Sequence, residues 1–539
     1  MKINRKIIIV GGGISGLTTA TSLAKKGVNV LLIEKNEKTG GLVNSFTRDG
    51  FLFDGGVRAV ENAGMIKPML EELEIDLPLY KSDVSVGVEN YVIGAERKES
   101  VDDYERMLKK LYPESEKEAE RVINVIRKYD KYMNVLFGND SPFFKDAKRD
   151  RSYWFTTFIV WIFRLIATTI AVLRMRMPAE DFLHKIIKNE SLIDIIDQHF
   201  FRGTPAFFAM SYFSLYTDYF YPKGGVGKIP EKLEEKFVSM GGEVLKNTKI
   251  NRVHLKEKSI TDANGVTYTY DKLIWTADLK HLYRIIEKEG LSRKILSATE
   301  EEQRRFLSKK GAESVFTVFM GVDRSPEIFR AISHGHFFYT PSKQGLGSLH
   351  REDLKGMLGN WESVSKEEVL DWLERFCRLN TYEISIPVLN DPDAAPAGRT
   401  GIIASFLFDY ELIRRIEKDG WYEEFKLAVE EKIPTVLSES VYPGLNEHII
   451  FKFSASPLTL QDWSGSSEGA IVGWSFEEPI PLKGSMLNMK DSVKTALPDV
   501  YKAGQWAASP AGIPTCILTS KLAADLVYRE ISKSGDITD

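Results

Sequence analysis

Cysteine is nearly absent: Cys377 and Cys516 are the two thiols in 539 residues. They cannot make a disulfide framework or a multi-cysteine metal site, and such usage fits a reducing compartment. The eight histidines show no ligand spacing beyond His334-Gly-His336, which core or surface placement explains better, so no metal is expected. Charge of one sign is also missing. Lys and Arg number 72 against 76 Asp and Glu, a net charge of −4, and no basic field draws the chain to nucleic acid. The N-terminus MKINRKIIIVGGGISG has only a short apolar run, Ile7–Val10, before its glycines. A secretory signal needs a longer one, so a cytoplasmic location is expected. Neither repeats nor low-complexity tracts interrupt the chain.

What is present is ordinary for a soluble protein: 43% hydrophobic and 27% charged residues, enough apolar surface for a large core. At about 100–200 residues per domain the length suggests two to four domains. Ile7–Val10 reads as a buried parallel strand, Thr18–Lys26 as a helix and Val28–Ile33 as a second strand. Between the first strand and the helix stands Gly11-x-Gly13-x-x-Gly16. In that context the first glycine allows a tight turn, the second lets backbone approach a pyrophosphate and the third lets helix pack on strand. The helix N-terminus offers free N–H groups to the phosphates. Glu34, at the end of the second strand, is placed to bind a ribose diol and repels a 2′-phosphate, which favours NAD or FAD over NADP. Two further glycine clusters, Thr39-Gly40-Gly41 and Phe53-Asp54-Gly55-Gly56, favour the longer flavin dinucleotide; ordinary turns are the alternative.

Farther on, helical periodicity runs from about Val101 to Leu136 and over Lys228–Met240. Asn264-Gly265 marks a hairpin, and Val315–Val322 and Thr400–Phe408 read as strands. Val500–Ala503 is a short strand before a helix over Cys516–Tyr528.

Four blocks resemble FAD-dependent oxidoreductases of the phytoene desaturase, carotenoid isomerase and retinol saturase type, with flavin amine oxidases as cousins. They are residues 7–56, then YPKGGVGKIPEKLEEKFVSMGGEVLKNTKINRV (221–253), KLIWTAD (272–278) and YKAGQWAASPAGIPTCILTSKLAADLV (501–527); residues 456–474 resemble a further block. Together they cover about a third of the chain. The resemblance implies an α/β fold, a Rossmann-type FAD-binding domain (1–80, 222–285 and 490–539) interleaved with an α+β substrate domain (81–221 and 286–489). Within the latter, 145–200 is a helical apolar element. It implies that Gly11, Gly13, Ser15 and Gly16 hold the pyrophosphate and Glu34 the ribose, with Lys35 bordering the adenine and Val253 offering it backbone. Gly41, Gly55, Gly56 and Val57 approach the flavin side, and Gly504 and Gln505 the ribityl and phosphate end. Ile513 to Thr515 precede a final helix whose N-terminus points at the flavin ring, where its dipole stabilises negative charge. Four positions depart from the family: Leu42 for Arg, Gln505 for an acid, and Thr515-Cys516 for Pro-Gly. No second GxGxxG follows a strand, so a diffusing electron acceptor or donor is expected.

Tyr153–Leu173 is an apolar run with one charge, Arg164. It is long enough to span a bilayer at about 20 residues. A single span, however, would separate cofactor blocks that must build one site. Two readings remain: a buried helix of the substrate domain, or a monotopic element entering one leaflet. Basic flanks (Lys145, Lys148, Arg149, Arg151, Arg174, Arg176) and Trp154 and Trp161 suit a membrane surface. Phe200 to Tyr221 then holds ten aromatics, read as core or as the wall of a tunnel, with Phe220 and Tyr221 at the substrate pocket.

The expected activity is hydride transfer at a C–C bond of a polyene, isoprenoid or retinoid-like lipid: desaturation, saturation or isomerisation. No catalytic acid or base is identifiable. Arg58 and Lys223 adjoin motifs near the ring in the family and are the candidates, with structural charge as the alternative. The rivals are a non-enzymatic prenyl or lipid carrier of the same fold, against which the intact glycines and Glu34 argue, and a flavin amine oxidase.

Overall fold

The computed structural model describes residues 2–145, 149–482, 489–509 and 511–533. Lys148, one of the basic flanking residues, lies outside them. Two large sheets organise the chain. The first runs, in spatial order, Glu243–Leu245, Val30–Ile33, Lys2–Val10, Thr267–Trp275, Ser259–Asp262, Ile250–His254 and Ile286–Glu287. Its centre is parallel, as the uninterrupted apolar runs predict. Thr267–Trp275 changes partner along its length. Its start pairs antiparallel with Ser259–Thr261, and its end pairs parallel with Val500–Lys502. Ile7, Ile8 and Ile9 are fully buried because both faces are covered. Helices Ile14–Ala24, Lys228–Ser239 and Ile513–Lys533 pack on one side, and Leu279–Ile285 with Phe306 on the other.

The first helix starts at Ile14, four residues before the expected Thr18, with Gly13 as its N-cap. All eleven of its residues are buried, so packing rather than propensity carries the β-branched run Thr18–Thr19 and Thr21. The last helix is also longer than its periodicity suggests.

The second sheet runs Ile449–Ala455, Ser314–Val322, Thr400–Phe408, Tyr382–Ser385, His336–Thr340, Val84–Val88 and Tyr91–Gly94. Strand alternation gives it two unlike faces. Phe316, Phe337, Ile384 and Phe406 point into a core shared with Trp372 and Phe376. Thr317, Phe338, Glu383 and Ser405 take the intervening positions, on the opposite face.

The aromatic segment divides between both of its expected roles. Phe213 and Tyr216 are core, while Phe200, Phe201, Phe208, Tyr212 and Tyr219 border a cavity. Tyr153–Leu173 is a helix, wound as a π-helix over Tyr153–Phe158. It rests on helix Glu116–Phe137 through Trp161, whose indole donates to the Val135 carbonyl at 2.6 Å, and through Thr168 and Val172, which are buried. The buried-helix reading is therefore corrected. Phe155 is 74% exposed, Phe163 71%, and Ile159, Ile166, Ile170 and Leu173 continue the same stripe. Trp161 faces the protein rather than solvent, and Lys145 is turned in to Asp140 at 2.8 Å.

Candidate functional site

One cavity of about 650 Å³ begins at the glycine turn and ends among the aromatics. At its first end, Gly13 supplies no side-chain cap, so the opening N–H groups of helix Ile14–Ala24 are left to a ligand. The three glycines do different work. A Cβ on Gly11 would lie 2.8 Å from the Ala277 nitrogen, and one on Gly16 would collide with the Gly11 carbonyl. A Cβ on Gly13 would meet nothing nearer than 3.9 Å, so the protein itself leaves that position open. Gly41, at φ +59°, closes the floor opposite Gly13. Glu34 is buried and accepts the N–H of Gly12 at 2.6 Å and of Asn36 at 2.9 Å, which aims its carboxylate along the rim. Lys35 beside it donates to the Asp462 carbonyl at 2.7 Å. Burial lowers its pKa against the pull of Glu34.

Gly11, Gly13, Ser15, Glu34, Lys35, Gly41, Gly56, Val57, Arg58, Gln505 and Ile513 all line the cavity. Other expected positions do not. Val253 is fully buried in mid-sheet, paired with Ile260 and Ile286; Thr248, Lys249 and Ile250, at the strand's start, reach the cavity instead. Gly16 packs helix on strand. Gly55 is fixed by the chain itself, because a Cβ there would strike Asn44 at 2.2 Å. Gly504, at φ +95°, backs Ser15, and its N–H goes to Thr519. Thr515 lies off the helix face that presents Ile513 and Cys516. Phe220 points away under the Lys67 ammonium, and Tyr221 is buried with its hydroxyl on Asp54 at 2.7 Å. Tyr219 is the residue of that strand that reaches the cavity. Lys223 is half exposed beside Asp393 and does not line it.

Arg58 is buried at the junction of the two sheets. Its guanidinium donates to the Asp54 carbonyl, to Ser405 Oγ at 2.7 Å and to Thr317 Oγ1 at 3.2 Å. Around it stands a polar group that sequence reasoning missed. Glu61 accepts the hydroxyls of Tyr219 (2.7 Å) and Tyr212 (3.2 Å). Glu383 Oε1 lies 3.1 Å from His336 Nε2, within ion-pair reach. Burial raises the pKa of Glu61 in spite of its tyrosine donors. Burial pushes Glu383 up too, but His336 and Arg58 outweigh it and hold that carboxyl below its usual value. Two neighbouring carboxyls are thus driven apart in charge. Burial also pushes the His199 pKa down to about 4. The one signal for His336, the pair His334-Gly-His336, reads as core or surface rather than metal and does not point to a cavity. Block 456–474 resembled the family without assigned roles, yet Leu460 to Asp462 and Ser464 to Ser466 line the dinucleotide end.

A family profile described as flavin containing amine oxidoreductase matches residues 14–528. The chain belongs to this family. Prolycopene isomerase 1 of an Oncidium hybrid cultivar is 25% identical, over 99% of this chain and 85% of its own length. All-trans-retinol 13,14-reductase of Danio rerio is 24% identical, over 94% and 84%. Among solved structures, an oxidoreductase of Methanosarcina mazei superposes with a TM-score of 0.61 at 14% identity, covering 98% of this chain and all of that one. A putrescine oxidase variant gives 0.60 at 15%, with the same coverage. The fold is that of the flavin amine oxidases, and the protein is an FAD-dependent oxidoreductase. The geometry fits the cofactor: an open Gly13 cradle, an uncapped helix N-terminus and a rim carboxylate lie along one groove.

Proposed function

We propose that the enzyme desaturates, saturates or isomerises a C–C bond of a long hydrophobic polyene or isoprenoid lipid. The observation that carries this is the single cavity that joins the glycine cradle to a wall of Phe200, Phe201, Phe208 and Phe338. Relatives named for prolycopene and retinol support the same substrate class. In this reading Gly11, Gly13 and Ser15 hold the pyrophosphate, Glu34 the ribose, and Gln505 and Ile513 the flavin end. FAD supplies hydride transfer when bound. The chain aligns the substrate along the aromatic wall, excludes water from the reacting bond and holds Arg58 beside it.

Gly13→Ala tests the cofactor placement, because the new Cβ fits the protein and obstructs only a ligand. The apoprotein should unfold at the wild-type midpoint while FAD affinity falls at least about tenfold, about 1.4 kcal/mol. Unchanged FAD affinity would overturn it. For the substrate, the FAD-loaded protein is incubated with polyenes and with polyamines, and flavin absorbance and products are followed. Turnover of amines with no change on any polyene would establish the amine oxidase instead.

We further propose that the exposed stripe of Tyr153–Leu173 enters one leaflet of an anionic membrane, from which the lipid substrate is drawn. Exposed Arg151, Arg174 and Arg176 at its ends match anionic headgroups. Flotation with anionic vesicles measures it; protein left at the bottom of the gradient overturns it.

A further inference from the structure

The polar face of the second sheet has no evident use in binding a hydrocarbon. Thr317, Ser405 and Glu383 stand directly opposite one another across three strands, with Phe338 opposite Glu383 on the next. Arg58 reaches this row from beside the glycine cluster and donates from Nη2 to Ser405 and Thr317. Glu383 is left differently. Its side chain is 35% exposed, and that surface lines the cavity. Its Oε1 faces His336 Nε2 at 3.1 Å, and among the described residues no hydrogen-bond donor is placed on Oε2. Nearby, Arg58 Nε and a ring nitrogen of His336, Nδ1, also have no partner within the chain. A buried polar cluster that served only the fold would pair its members, as Glu61 does with Tyr212 and Tyr219.

A wholly apolar substrate packed against Glu383 would strip water from a charged carboxylate and return nothing. A cationic head would meet Arg58, which already balances that charge. A neutral donor suits both groups. We infer that this face recognises the hydroxyl end of a long apolar substrate, the alcohol donating to Glu383 while the chain lies along Phe338, Phe200 and Phe208. The inference rests on the lipid-substrate reading above and narrows it to lipids carrying an alcohol.

The test uses FAD-loaded protein and three matched probes: geranylgeraniol, its methyl ether and geranylgeranylamine. Binding is read from the shift of the flavin spectrum and from tryptophan fluorescence. The alcohol should bind at least about tenfold tighter than the ether, since a hydrogen bond to a charged acceptor is worth at least that factor. Glu383→Ala should bring the two within about twofold without weakening the ether, which no longer desolvates a carboxylate and whose retained binding shows an intact pocket. Glu383→Gln, which keeps an acceptor oxygen, should fall between. Equal binding of alcohol and ether by the wild type overturns the inference, as does an amine that binds tightest or an alcohol preference that survives Glu383→Ala. Binding of none of the three removes the lipid-substrate reading itself, whereas equal binding of alcohol and ether removes only the hydroxyl site.

Discussion

Phe163 and Phe213 are the same residue type in neighbouring segments rich in apolar side chains, yet Phe163 keeps 71% of its surface exposed and Phe213 8%. The second lies between Tyr104 and Tyr216, under the helices Ser100–Leu111 and Glu116–Phe137. The first stands on the outer face of a helix whose inner face alone meets the protein, through Trp161, Thr168 and Val172. Composition set how much apolar surface each segment carries. The number of neighbours available to cover it set where that surface went. A stripe that none of the described elements covers needs either a lipid or a reason to stay soluble.

The largest expected effect comes from truncating both rings. Phe213→Ala should lower unfolding stability by about 3–5 kcal/mol, while Phe163→Ala should stay within about 0.5 kcal/mol. Denaturant titration reads both, and equal losses would mean that the helix is covered after all. The next effect concerns the cavity beside the buried segment. His199 has a folded pKa near 4 against an ordinary 6.5. Above pH 6.5 the ring is neutral in both states and costs nothing. As pH falls from 6.5 towards 4 only the unfolded chain takes up the proton, so stability declines, and it levels off below 4. His199→Gln should flatten that decline by a few kcal/mol at most, on the order of 3, less whatever water the cavity admits. A pH series of unfolding curves identical to wild type would refute the assignment. The smallest change in stability accompanies the change on vesicles. Phe155→Glu with Phe163→Glu should keep the unfolding midpoint and reduce flotation on anionic vesicles at least about tenfold. Equal flotation would leave the stripe without a lipid role. Trp161, although a tryptophan in an apolar run, is the wrong residue for this experiment because its indole is committed to Val135.

Much of the dinucleotide end was legible. Gly11, Gly13 and Glu34 stand where a strand, a turn and a strand end place them, because each step is local: a buried run, a glycine that must lack Cβ, a carboxylate at fixed spacing. Legibility failed wherever position depended on register. Val253 was three residues too far along its strand, and Phe220 and Tyr221 lie one and two residues past the Tyr219 that reaches the cavity. Gly55 resembled a ligand contact and proved to accommodate the chain's own Asn44.

The sequence by itself determined a flavin-binding strand-turn-helix and two apolar segments of undecided fate, since backbone stereochemistry and hydrophobic period act over a few residues. Only the tertiary structure brought Arg58, Thr317, Glu383 and Ser405 together, and only it chose Phe213 for the core and Phe163 for the surface. Those outcomes depend on which strands pair and which helices find partners across hundreds of residues, and no local pattern encodes that pairing.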